Sequence, residues 1–105
     1  FAPTKLKETD KLITLTWDEN MFTYSVQFPD EVNGEKFKAV MLNISNKGDK
    51  FENVLAELKP HSKNGKLMVE IQAYADINKN LSLEVWWLTH DGLCPIIGEI
   101  KLVKS

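Results

Sequence analysis

The segment Met21–Phe28 (MFTYSVQF) constrains the fold most. Phe22, Tyr24, Val26 and Phe28 fall on one side, and Thr23, Ser25 and Gln27 on the other. A period of two means a strand buried on one face. The same period recurs along the chain. Lys11–Trp17 (KLITLTW) alternates Leu, Ile and Thr. Phe37–Ser45 is apolar on both sides, with Phe37, Ala39 and Met41 against Val40, Leu42 and Ile44, as a central strand requires. Lys66–Tyr74, Leu81–Thr89 and Cys94–Val103 complete the set of six strands. Turn signals separate them: Asn33-Gly34, Asn46–Asp49, Asn64-Gly65 and Asp91-Gly92. Within the last strand, Gly98 marks an expected bulge.

One segment reads two ways. In Lys50–Lys59, Phe51, Val54, Leu55 and Leu58 form a helical stripe, with Asp49 as N-cap and Pro60 beyond the end. As a strand, Val54, Ala56 and Leu58 alternate with Leu55 and Glu57. The capping residues favour a short helix at 50–59; otherwise it is a seventh strand. The expected fold is therefore mainly β, a single domain over residues 1–105 with residues 1–10 as a loose lead-in. The two architectures are an antiparallel sandwich of six to seven strands, or an α+β sheet backed by that helix. Leu42–Asp49 (LNISNKGD) resembles strand ends in bacterial Ig-like surface domains. The resemblance covers eight residues and implies an Ig-like sandwich and an extracytoplasmic location, in the periplasm or at the cell surface.

Charge removes several functions. All 13 basic side chains are lysine, and the net charge is −2. Without arginine there is no bidentate clamp for phosphate or guanine, and no basic face gathers for nucleic acid. No apolar run nears the ~20 residues a spanning helix needs, so no membrane insertion is expected. The two histidines, His61 and His90, fall in turns without convergent spacing, and Cys94 stands alone. No metal or phosphate motif is present, so no cofactor and no catalysis are expected.

Symmetric closure of the loop at residues 76–80 would set Ala73 opposite Leu83, Ile71 opposite Val85 and Val69 opposite Trp87. On the other face Gln72 would meet Glu84, Glu70 would meet Trp86, and Met68 would meet Leu88. The Asp91-Gly92 turn would add Ile97 beside Trp86 and Glu99 beside Glu84. This second face collects Trp86, Tyr74, Met68, Leu88 and Ile97 with Glu70 and Glu84. It is an aromatic and apolar cluster edged by carboxylates. Either another element covers it, or it is an exposed patch of the kind that binds partners.

Three functions follow. The first is a non-catalytic protein-binding or assembly domain using this aromatic-acidic face. The second is a small inhibitor or immunity protein that occludes an enzyme. The third is a carbohydrate-binding module that stacks sugars on Trp17, Tyr24, Tyr74, Trp86 or Trp87. The expected partner under the first two is another protein; the sequence leaves the oligomeric state open.

Overall fold

The computed structural model describes residues 4–5, 12–46, 53–72, 79–88 and 95–103. They form ten strands: β1 (Thr4–Lys5), β2 (Thr14–Asp18), β3 (Thr23–Phe28), β4 (Glu31–Val32), β5 (Glu35–Asn46), β6 (Asn53–Leu58), β7 (His61–Lys63), β8 (Lys66–Gln72), β9 (Lys79–Trp87) and β10 (Ile96–Lys101). One sheet has the order β2-β3-β8-β7. The other runs β1-β10-β9-β5, and β4 and β6 both pair with β5. All pairings are antiparallel except β1 with β10. Numbered in chain order, β2-β3-β8-β7 against β5-β9-β10 is the strand order of an immunoglobulin-like sandwich, with β6 extending the second sheet.

The turns form as their residues dictate. Asn33 and Gly34 have φ of 49° and 84°, and Asn64 and Gly65 have 51° and 79°. Positive φ at both central positions matches the twist of a two-residue hairpin, and Asn-Gly adopts it readily. Asp18 Oδ1 accepts from the amides of Asn20 (2.9 Å) and Met21 (3.3 Å) and folds the β2–β3 loop.

The core lies between the sheets. Tyr24, Val26 and Phe28 of β3 and Val69 and Ile71 of β8 meet Val40 and Leu42 of β5 and Leu83, Val85 and Trp87 of β9. Trp87 is 0% exposed and its Nε1–H donates to the Pro29 carbonyl at 2.8 Å. Phe28 packs edge-on to Trp87, with centroids 6.5 Å apart, and lies 5.5 Å from Phe37. Burial also pushes the Tyr24 phenol above its ordinary value.

Three short strands, β1, β4 and β7, add to the expected six to seven, with β1 inside the expected loose lead-in, and four further expectations change. First, residues 53–58 are a strand paired to β5, so the helix expected over 50–59 is replaced there by the seventh-strand alternative; residues 50–52 lie outside the described residues. Cross-strand pairing of Val40–Ser45 with Asn53–Leu58 outweighs a weak local helical preference. Second, β8 and β9 are not paired. β8 lies between β3 and β7, and β9 lies between β10 and β5. Val69 and Ile71 still share a core with Leu83, Val85 and Trp87, but across the sandwich rather than along one sheet. Third, the β9–β10 register runs unbroken from Ile96↔Trp87 to Lys101↔Ser82, so Gly98 is no bulge. A Cβ there would lie 2.9 Å from Ile13 Cδ1 and 3.1 Å from the Trp87 ring, so a larger residue would have to displace both. The bulge lies instead in β5, between Phe37 and Ala39. It brings Phe37 to the core side with Val40, not to the side of Ala39 and Met41. Fourth, Phe22 leaves the buried side of β3. It sits before the strand with φ 48°, exposed, with its ring edge-on to Trp17.

Candidate functional site

The outward face of the β10-β9-β5-β6 sheet is read row by row from its register. One row is Ile97–Trp86–Ala39. The next is Glu99–Glu84–Met41–Glu57, and the third is Lys101–Ser82–Asn43–Leu55. The pairings Ile97↔Trp86 and Glu99↔Glu84 are those expected from the sequence. Neighbouring residues of β9 part company here. Trp87 faces the core, while Trp86 is half-buried on the outer face.

Trp86 is held in place by chemistry within its own strand. Its indole Nε1–H donates to Glu84 Oε1, two residues back on the same face. The ring is thereby tied towards the row of carboxylates. Glu84 and Glu99 are direct cross-strand neighbours of like charge, an arrangement that disfavours the sheet. Glu99 and Glu57 are exposed, and Met41 and Glu84 are half-buried between them. At the Lys101–Ser82 end of the third row, an open groove of about 420 Å³ is lined by Ser45, Asn80, Ser82, Glu99 and Lys101 together with apolar Leu81, Leu102 and Val103.

The structure divides the expected cluster. Trp86 and Glu84 share the outer face with Ile97, and Leu88 follows β9, its amide donating to the Lys36 carbonyl at 2.7 Å. Ile97 stands beside Trp86 but is only 4% exposed, so it supports the patch rather than offering contact area. Met68 and Glu70 belong to β8, in the other sheet, and do not join Trp86. Met68 is buried there and accepts from Gln27 Nε2 at 3.6 Å; Glu70 is exposed. Tyr74 lies outside the described residues, as do His90, the Asp91-Gly92 turn and Cys94. His61 is exposed in β7. Of the other proposed stacking aromatics, Tyr24 and Trp87 are buried in the core, and Trp17 packs on Tyr24 at 4.5 Å.

Sequence reading missed Met41, Glu57 and Ala39 as members of the patch. Their alternation was visible, but which strands flank β9 is a long-range pairing with no local signal. Among the described residues, no group of three His, Cys, Asp or Glu converges as a metal site, and no helix is long and apolar enough to cross a membrane. Compared with known proteins, the chain matches no family model, no curated protein and no solved structure.

Proposed function

We propose that this chain is a non-catalytic protein-binding domain whose contact surface is the outer face around Trp86. The observation that carries this reading is the pairing of Glu84 with Glu99 beside a half-buried tryptophan. A sheet selected for stability alone avoids opposed glutamates, and breaks with local rules concentrate where a protein functions. Tryptophan is a favoured anchor, and carboxylates around it select a partner that brings its own cations. The resemblance of Leu42–Asp49 to strand ends of bacterial surface domains supports an extracytoplasmic setting.

Trp86→Ala tests the reading. Capture of a partner from the native source is expected to fall about 30-fold or more, as for an interface hot spot of about 2 kcal/mol. The thermal melt stays close to wild type. A variant that unfolds instead would return Trp86 to a structural role. An inhibitor of a basic enzyme is the second reading of the same face, favoured by its carboxylates. Association that weakens steeply with salt supports it, and salt-insensitive binding opposes it.

A further inference from the structure

The edges of the two sheets are guarded unequally. A free edge offers a row of unpaired backbone groups to any extended chain, and proteins blunt it with short strands, charge or proline. Here β1 and β4 are two residues long, and β7 is three and ends in Lys63. At the opposite edge of the sheet that ends in β7, β2 turns Thr14, Thr16 and Asp18 to solvent. Strand β6 is the exception. It has six residues, NVLAEL, with Glu57 as its one charge and no proline or bulge. No described strand pairs with its far edge. Val54 is 59% exposed and Leu55 65% exposed, and as neighbours in a strand they face opposite sides. A strand added at this edge would cover both.

We infer that β6 is a self-association edge: two copies pair β6 with β6 antiparallel about a two-fold axis at Leu55, continuing one sheet into the other. An antiparallel ladder must set residues of the same face opposite each other. The two-fold register centred on Leu55 does so. It sets Leu55 against Leu55, Val54 against Ala56, and Glu57 against position 53. A register centred on Ala56 would oppose Leu55 and Glu57, and one centred on Glu57 would oppose two glutamates. Of these three, only the first aligns apolar with apolar and keeps the carboxylates apart. Such a two-fold contact closes on itself and makes a dimer, not a fibre. A five-residue strand pairing buries less than the roughly 1,000 Å² of a stable interface, so the dimer is reversible. Both Trp86 faces then lie on one side of a continuous sheet, with their β9 strands roughly 24 Å apart at about 4.8 Å per strand.

Sedimentation equilibrium over a wide range of concentration tests the inference. The weight-average mass is expected to rise from the 12.0 kDa of one chain towards twice that value. Leu55→Lys and Val54→Lys, each adding an edge guard at an exposed position, should hold the chain monomeric with unchanged circular dichroism. Val103→Lys, at another exposed apolar residue, should dimerise like wild type. A wild-type chain that stays monomeric at every concentration overturns the inference and leaves the edge to a foreign strand. So does a dimer that survives both β6 substitutions. Trp86→Ala leaves the dimer intact, so failure here is separable from failure of the binding face.

Discussion

Trp86 and Trp87 are the same residue type at adjacent positions, with opposite surroundings. Trp87 fills the core between Phe28, Ile13 and Gly98, its indole satisfied by the Pro29 carbonyl. Trp86 faces outward, tied to Glu84. The period of two makes one of the pair core and the other surface, and the apolar partners Leu83 and Val85 identify Trp87 as the core residue from sequence alone. Gly98 was not legible in that way. Its role comes from the room that the Trp87 ring and Ile13 occupy, which no local pattern reveals. Gly98→Ala is therefore expected to cost about 1–3 kcal/mol in chemical denaturation, as overpacking does. Ile13→Val removes the methyl nearest the new Cβ. In the double variant the two costs should add to less than their sum. Strict additivity would show that the ring, not Ile13, resists the change.

At the scale of elements, strand existence was largely visible and strand pairing was not. The alternation in β3, β8 and β9 and the Asn-Gly turns follow from local chemistry. The β9–β10 register was legible because the strands are neighbours in sequence and the Asp91-Gly92 signal between them sets an expected pairing. The β8–β9 register was not. Val69 and Ile71 satisfy the same apolar pattern whether they pair with β9 or face it across the core. That error carried Met68 and Glu70 onto the wrong face. In β6, the caps spoke for a helix, and pairing with β5 decided otherwise. The bulge in β5 yields a sharp test. Lys38 is the extra residue between Phe37↔Trp87 and Ala39↔Trp86. Deleting it leaves a regular ladder with Phe37 still inward, so stability should change by about 1 kcal/mol or less. Deleting Met41 also removes the extra residue, but it sets Ala39 inward opposite Val85 and turns Val40 outward opposite Glu84. Losing that buried valine from the core should cost about 1.5 kcal/mol or more. Equal effects of the two deletions would contradict the bulge.

For the whole molecule, the sandwich turns an ambiguous face into a defined one. The cluster read from sequence had two possible fates, covered by another element or open to a partner. The outer face of the larger sheet keeps Trp86, Glu84, Met41, Glu57 and Glu99 at least partly accessible, while Ile97, beside Trp86 on the same face, is buried. The outer face of the smaller sheet is built differently, with Thr14, Thr16, Glu70 and Gln72 exposed. The two faces can therefore be compared within one fold. A photo-activatable benzophenone residue placed singly at Met41, Glu57, Glu84 or Glu99, or at Thr16, Glu70 or Gln72, reads directly which face meets a partner in the native source. Specific adducts are expected from the first group, lost when Trp86→Ala is added, and none from the second. Adducts from the second group, or adducts that persist without Trp86, would contradict a contact surface around Trp86.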